Sequence, residues 1–420
     1  MKLRAACLIT AVIMITVSFM AGCMDRDENK EGTSDQSTQY FANNEVVNSS
    51  NKFSFDMYQY LLNGTDNVFF SPYSITIALG MAYEGAGGET ASQMLDVIDL
   101  PEDDKTRRDM VRELQTLLNP QKAPYNLSTA NAYWLRMGED LNDSYQYTIE
   151  NDYKAHGQQL NFVGDPSGSA DTINYWVEVE TNGKIKKLVL PSHISSSTYL
   201  ILTNAIYFKS DWKYQFDPES TQEDDFHLTG GGTTTVDMMN ICDEEIDLNY
   251  SENDDVRMLQ LPYKGDAISM YIILPKDNDI SSLEGELSKK YIDELRSDLT
   301  GEWVDVRLPK FKFEQKYKLN QDLIDMGMPD AFDPTKADFS GIKQGGSSDL
   351  CIYNVIHKSF VEVNEEGTEA AAATAVMMAD SVSVDQPIDF RADHPFIFLI
   401  EHKETGQILF MGKVEDPTSG

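Results

Sequence analysis

One stretch of the chain, residues 365–382, constrains the fold more than any other. It reads EEGTEAAAATAVMMADSV and contains a run of four alanines between two threonines. Alanine is the best helix former and Thr368 is a suitable N-cap, so local propensity predicts a short helix. Side-chain alternation supports a second interpretation, in which the same residues form an extended strand.

As a strand, the stretch has small side chains on both faces. One face carries Thr368, Ala370, Ala372, Thr374 and Val376, and the other carries Glu369, Ala371, Ala373 and Ala375. Such a strand can slide into a packed sheet without overpacking it. It can also remain a loop, because it has little apolar area to bury.

The flanking segments favour the strand interpretation. Residues 357–366 (HKSFVEVNEE) lead into the stretch, and residues 390–398 (FRADHPFIF) follow it. This framed pattern resembles the reactive-loop region of serpins, a family of metastable protease inhibitors. The resemblance implies an exposed loop whose hinge can join a β-sheet.

Further motifs extend the resemblance over residues 51–417. They occur in family order and spacing: Ser71-Pro72 with Ser74, Asn174-x-Trp176-Val177, Thr181-x-Gly183-Lys184-Ile185 and Leu261-Pro262-Tyr263. The resemblance implies an α+β serpin fold over residues 51–420, with three β-sheets, about nine helices and an exposed reactive loop.

Some elements are predicted from the residues alone. Apolar spacing predicts helices over residues 51–63 and 75–83, the second capped by Ser71. The apolar run at 199–209 predicts a strand buried on both faces, and the alternation at 306–313 predicts another strand.

The resemblance also implies two groups of interacting side chains. In serpins, the asparagine of the buried strand meets a serine-rich helix start and a histidine beneath the central sheet. The corresponding residues here are Ser71, Ser74, Asn204 and His357. A lysine also pairs with the glutamate at the base of the reactive loop, which implies a pair between Lys310 and Glu365.

The charge of the chain argues against nucleic-acid binding. The formal net charge is −35, and no long basic block is present. Some serpins bind heparin through a basic helix near residues 101–119. Here acidic residues interrupt the basic ones, so this property is not expected and the segment is interpreted as a solvated helix face.

The N-terminus predicts export. Lys2 and Arg4 precede an apolar run that ends in Met20-Ala21-Gly22-Cys23, which resembles a lipobox. We expect a signal peptide over residues 1–22, lipidation of Cys23 and a flexible tether over 23–50. The protein would then be anchored by lipid at the outer face of the cell membrane; the alternative is an ordinary cleaved signal with a chance cysteine.

The remaining residues give no sign of catalysis. Cys242 and Cys351 have no metal-ligand spacing, and their spacing leaves open whether they form a disulfide. None of the six histidines lies in a His-Glu-x-x-His motif, and no Gly-x-Ser-x-Gly motif occurs. We therefore expect no enzyme, no metal and no cofactor.

The resemblance implies a monomeric suicide-substrate inhibitor of an extracytoplasmic serine protease. The protease would form a covalent complex with the loop, which then inserts into the central sheet. The hinge comprises Glu365, Glu366, Gly367, Thr368, Glu369, Ala370, Ala371, Ala372, Ala373 and Thr374. Because this hinge lacks proline and bulky side chains, it favours an inhibitor over the alternative, a non-inhibitory serpin that acts as a cell-surface binding or carrier module.

The family's commonest loop length places the scissile bond between Ser381 and Val382. A small serine before the bond suits elastase-like or subtilisin-like proteases. A loop one residue shorter places the bond between Asp380 and Ser381, which suits an Asp-specific protease.

Overall fold

The computed structural model describes residues 44–64, 66–346, 350–368 and 386–419 of the 420-residue chain. Within these residues the chain forms nine α-helices: α1 (Glu45–Leu61), α2 (Pro72–Tyr83), α3 (Gly88–Ile98), α4 (Asp104–Leu118), α5 (Asp143–Asn151), α6 (Pro166–Glu180), α7 (Ile280–Glu286), α8 (Lys289–Ser297) and α9 (Asn320–Met326). None of the helices described combines the length and apolar character that crossing a bilayer requires.

Sixteen strands accompany these helices in the described residues: β1 (Val68–Phe70), β2 (Asn126–Arg136), β3 (His156–Leu160), β4 (Leu200–Asp211), β5 (Gln222–His227), β6 (Thr233–Ile241), β7 (Asp247–Glu252), β8 (Val256–Pro262), β9 (Ile268–Pro275), β10 (Thr300–Pro309), β11 (Phe311–Lys318), β12 (Ile356–Val363), β13 (Gly367–Thr368), β14 (Ile388–Arg391), β15 (Phe396–His402) and β16 (Gln407–Val414). Six of them form the central sheet, in the order β11-β12-β13-β4-β2-β3.

The other ten strands form two sheets that are continuous through β10. The first part of β10, at residues 300–303, pairs with β7 and so joins the sheet β1-β16-β15-β9-β8-β7. The later part pairs with β6 on one side and with β14 on the other, and β5 follows β6. Together with the central sheet, this arrangement confirms the predicted α+β fold of three sheets.

Helices cover both faces of the central sheet around β4. Ile206 and Phe208 of β4 belong to the large apolar core that also contains α2, whereas Ala205 faces the smaller core beneath α6. The strand predicted at 199–209 is therefore buried on both faces, as its continuous apolar run indicated.

The single strand predicted over residues 306–313 is wrong, because two strands meet there. β10 ends at Pro309 and β11 begins at Phe311, in a different sheet. Val306 and Leu308 are buried, and so are Phe311 and Phe313, so the phase of burial changes across Lys310. Each strand alternates by itself, and the two alternations are offset by one residue at Pro309-Lys310.

The tether predicted over residues 23–50 extends too far, because its last residues are part of α1. The Asn44 side chain caps the helix by accepting a hydrogen bond from the Val47 amide at 3.2 Å. Ser49 and Asn51 are buried, and each donates a side-chain hydrogen bond to a backbone carbonyl. Val46 and Val47 are buried in the core as well, so the first part of α1 combines apolar packing with these hydrogen bonds.

Candidate functional site

The first two residues beyond the loop base form a short strand inside the central sheet. In β13, Gly367 pairs with Asp211 and Thr368 pairs with Ser210, both on β4. On the other side, Thr368 pairs with Val363 of β12, and both pairings are antiparallel. Of the predicted hinge, Gly367 and Thr368 are therefore already inserted between two longer strands.

Beyond β13, the central sheet contains a seam between β4 and β12. β4 has twelve residues and β12 has eight, whereas β13 has only two. Among the described residues, no backbone ladder joins β4 directly to β12. The seam is therefore a place where the sheet can accept a further strand in register with β13.

Gly367 is required by the close approach of two backbones. A Cβ atom at this position would lie 2.1 Å from the Ser210 carbonyl oxygen and 2.7 Å from the Asp211 Cα. These distances are far shorter than a van der Waals contact, and the backbone of β4 cannot move away without disturbing its pairing with β2. Any larger residue would push the hinge out of the sheet.

Thr368 is buried at the top of the seam, where 4 % of its surface is exposed. Its hydroxyl forms a 2.6 Å hydrogen bond with the hydroxyl of Tyr263. Tyr263 is itself buried and stacks on Trp212, with the ring centroids 4.4 Å apart. The side chain thus fits a site that accepts a small residue with one hydroxyl group.

The turn before β13 is fixed by Asn364 and Trp212. The Asn364 side-chain oxygen accepts hydrogen bonds from the amides of Glu366 and Gly367, at 3.1 and 3.2 Å. The Trp212 indole donates to the Asn364 carbonyl at 2.9 Å, and the Trp212 amide donates to the Glu366 carbonyl at 2.7 Å. Neither residue was among the predicted site residues, although the Asn-Glu-Glu-Gly sequence is typical of such a turn.

Lys310 and Glu365 lie together at the loop base. The Lys310 Nζ is 3.2 Å from Glu365 Oε1, which also accepts a 2.9 Å hydrogen bond from the Thr221 hydroxyl. Burial raises the pKa of Glu365, but the backbone, Thr221 and Lys310 together outweigh it and hold that pKa below its ordinary value. The carboxylate therefore remains charged and ties the loop base to the junction between β10 and β11.

The four residues expected beneath the sheet are connected by hydrogen bonds. His357 Nε2 accepts a 3.0 Å hydrogen bond from the Ser71 amide, and the Ser71 hydroxyl accepts one from the Ser74 amide at 3.2 Å. The Ser74 hydroxyl bonds the Asn204 side chain, which in turn donates to Asn131. Because these residues come from α2, β2, β4 and β12, the network spans both sides of the seam.

His357 is neutral in the folded protein. Burial lowers the pKa of its imidazole to about 3, since no carboxylate compensates for the loss of water. The unfolded chain takes up a proton near pH 6.5, so below that value the unfolded state binds more protons than the folded state. Stability is therefore lost as the pH falls from about 6.5 towards 3.

Replacement of His357 by a residue that does not titrate should remove this pH dependence of stability. Between pH 7 and pH 5, the wild-type free energy of unfolding should fall by about 2 kcal/mol more than that of His357→Gln, at about 1.4 kcal/mol per pH unit below the unfolded pKa. Glutamine keeps an acceptor for the Ser71 amide but does not titrate. Denaturant unfolding at the two pH values measures the difference; His227→Gln, at an exposed histidine, should retain the wild-type dependence.

The basic residues of α4 are neutralised by neighbouring acids. Arg107 and Arg108 both bind the fully buried Glu84, at 2.8 and 2.6 Å. Arg112 bonds Asp152 at 2.6 Å, and Lys105 bonds Asp109 at 2.5 Å. The basic residues of this helix are therefore paired with acids, as the interleaved charges indicated. Arg107, however, is buried and does not lie on the solvated face that the sequence suggested.

Several predicted residues lie outside the described part of the chain. They are Cys23, the hinge residues Glu369, Ala370, Ala371, Ala372, Ala373 and Thr374, and the alternative cleavage residues Asp380, Ser381 and Val382. Cys242 and Cys351 are described, and both are free thiols.

Comparison with known proteins identifies the class to which this fold and hinge belong. The family model described as serpin (serine protease inhibitor) matches residues 48–417. A serpin-like protein of Thermococcus kodakarensis is 41 % identical over the full length of both chains. The leukocyte elastase inhibitor of Xenopus tropicalis is 38 % identical, over 87 % of this chain and 97 % of the relative.

A solved structure agrees with these similarities. The crystal structure of Serpin48 from the insect Tenebrio molitor superposes with a TM-score of 0.78 at 33 % identity, covering 89 % of this chain and 98 % of the other. The chain belongs to the serpin family. Serpins are generally protease inhibitors and not enzymes.

Proposed function

We propose that the protein is a suicide-substrate inhibitor of an extracytoplasmic serine protease. The observation that carries the proposal is the seam between β4 and β12, with Gly367 and Thr368 at its upper end. A hinge that already occupies the sheet has passed the costly first step of insertion. The rest of the loop can then follow in the same register.

The register of β13 defines where the loop would go after cleavage. Thr368 lies opposite Val363, and seven positions separate Val363 from Ile356 at the start of β12, so residue 375 would lie opposite Ile356. On the other side Thr368 lies opposite Ser210, and by the same count residue 378 would lie opposite Leu200. A protease attached to Ser381 would thus be carried past the far end of the sheet.

The side chains near the predicted bond support a target class. Ser381 suits the small specificity pocket of elastase-like or subtilisin-like proteases, and the similarity to a leukocyte elastase inhibitor points the same way. Cleavage one residue earlier, after Asp380, would instead indicate an Asp-specific target. We further propose a monomer attached through lipidated Cys23 to the outer face of the membrane, on the N-terminal sequence pattern.

Incubation with an elastase or a subtilisin tests the proposal. We expect a complex that survives boiling in SDS, and mass spectrometry of the released peptide should place the cut after Ser381. Trypsin is the control, since no lysine or arginine lies between Gly367 and Phe390. Loop cleavage without loss of protease activity would contradict the proposal and favour the non-inhibitory binding or carrier module.

A further inference from the structure

A polar cleft of about 340 Å³ lies at the edge of the central sheet, between strand β3 and helix α5. Its volume is at the lower end of the range for small-molecule sites, about 300–1,000 Å³. The polar side chains that line it are Tyr133, Asp140, Asp143, Gln146, Gln159 and Gln344. None of the residues that line the cleft is basic, so the cleft does not favour an anion.

Gly157 gives the cleft an aromatic inner wall. A Cβ atom at Gly157 would lie 2.1 Å from Cζ of Tyr133, so the phenol ring occupies the space that any side chain would need. The Tyr133 hydroxyl donates to Glu150 at 2.5 Å and accepts from the Gln146 amide at 3.1 Å. The ring is therefore held in one position at the inner wall.

Hydrogen bonds fix two of the glutamines. The Gln146 amide also donates to Glu150 at 2.8 Å, so both of its N–H groups are engaged and its carbonyl oxygen is left to accept. The Gln159 amide donates to the Glu139 carbonyl at 3.1 Å, and its oxygen accepts from the Gly138 amide at 3.4 Å. A ligand would thus meet polar groups that are already ordered, which lowers the entropic cost of binding.

Three further side chains of the cleft are free to bind a ligand. Asp140, Asp143 and Gln344 are exposed, and their side chains form no hydrogen bond or ion pair with any residue that the structure describes. The carboxylates can only accept hydrogen bonds, whereas the amide of Gln344 can both donate and accept. The cleft therefore offers both kinds of hydrogen-bonding group.

Exposed apolar side chains flank the cleft. Tyr147 is 65 % exposed and Met137 is 61 % exposed. Tyr147 follows Asp143 by four residues on α5, so the two lie on the same face of the helix. The Met137 amide donates to the carbonyl of Leu160, the residue after Gln159, at 2.8 Å. Large apolar side chains beside a polar cleft suit a ligand that is itself partly apolar.

We propose that this cleft binds a neutral oligosaccharide. A sugar ring presents C–H groups on its faces and hydroxyl groups around its edge, and each hydroxyl can donate and accept. The C–H groups pack on the ring of Tyr147, while the hydroxyls bond the amides and carboxylates of the cleft. Because β2 and β4 separate the cleft from the seam between β4 and β12, this binding is independent of the proposed inhibition.

The charges around the cleft favour a neutral ligand over a charged one. An anion would meet two unpaired carboxylates. The neighbouring basic residues are engaged elsewhere, since Arg136 pairs with Glu139 at 2.5 Å and the Lys343 ammonium lies 4.9 Å from the centroid of the Tyr199 ring. A polyamine would pair with the carboxylates but would leave the N–H groups of Gln344 unused, whereas hydroxyl groups match both.

Saturation-transfer difference NMR with maltohexaose, cellohexaose and mannohexaose at millimolar concentration tests the proposal. We expect at least one of them to bind with an affinity that salt does not change, because no ion pair forms. Asp140→Ala/Gln344→Ala should raise its dissociation constant at least tenfold. The matched control, Gln121→Ala/Asp254→Ala, removes the same two groups from exposed positions outside the cleft and should bind within twofold of wild type.

A pair of tyrosine variants gives a second readout. Tyr147→Ala should raise the dissociation constant at least threefold, whereas Tyr175→Ala, at a 70 % exposed tyrosine of α6, should leave it unchanged. No binding of any of the three sugars to wild type, or equal weakening in the cleft and control variants, would overturn the proposal. Cleft-dependent binding of spermidine that weakens as salt rises, without binding of a sugar, would overturn it in favour of a cationic ligand.

Discussion

Cleavage of the loop after Ser381 is expected to raise the midpoint of thermal unfolding by at least about 5 °C. In the register of β13, residues 369–375 would lie between β4 and β12. Roughly ten new ladder hydrogen bonds, each worth about 0.5–1.5 kcal/mol net, stabilise the sheet by on the order of 10 kcal/mol. The family domain spans residues 48–417. For a domain of this size, an unfolding entropy of about 2.1 cal/mol/K per residue gives roughly 1.3 °C per kcal/mol, so even half of the gain, after the cost of ordering the chain, corresponds to about 6 °C.

Differential scanning calorimetry of intact and cleaved protein measures this shift. Removal of residues 1–43, which precede the cap of α1, is the matched proteolytic control and should not raise the midpoint. If the midpoint of thermal unfolding of the cleaved protein is no higher than that of the intact protein, loop insertion does not stabilise the fold. The inhibitory mechanism would then be excluded, although membership of the family would stand.

Features encoded by local chemistry were predictable from the sequence. The Ser71-Pro72 pair specifies the start of α2, because the Ser71 hydroxyl accepts the Ser74 amide and proline needs no amide partner there. The apolar run that became β4 likewise specifies a strand between two covering layers. The arrangement of these elements in three sheets was predicted only from the family motifs, because no local pattern contains it.

Features that depend on distant contacts were not predictable. The start of α1 was missed because only Val46 and Val47 give it apolar character, while Ser49 and Asn51 on its buried side donate hydrogen bonds to distant carbonyls. The sequence also could not show that Thr368 lies inside the sheet, since the residues of the stretch 365–382 suit a helix, a strand or a loop.

Substitution of Thr368 by arginine is expected to convert the inhibitor into a substrate. Thr368 is buried, and its hydroxyl meets Tyr263 at 2.6 Å, so an arginine would place an unpaired charge in an apolar site. The arginine side chain and the hinge would then lie outside the sheet. The rest of the protein would still fold, because β13 contributes only two residues to the sheet. A penalty of about 3 kcal/mol on insertion slows it by about a hundredfold, which allows hydrolysis of the acyl-enzyme to compete.

Two matched variants separate the charge from the lost hydrogen bond. Thr368→Val keeps the shape of the side chain and Tyr263→Phe keeps the ring, so each removes only the bond between the two hydroxyls. Both should still form the SDS-stable complex, whereas Thr368→Arg should give mainly cleaved inhibitor and active protease at the same molar ratio. Full inhibition by the arginine variant would mean that insertion does not begin at Thr368, and the seam at β13 would lose its proposed role in trapping the protease.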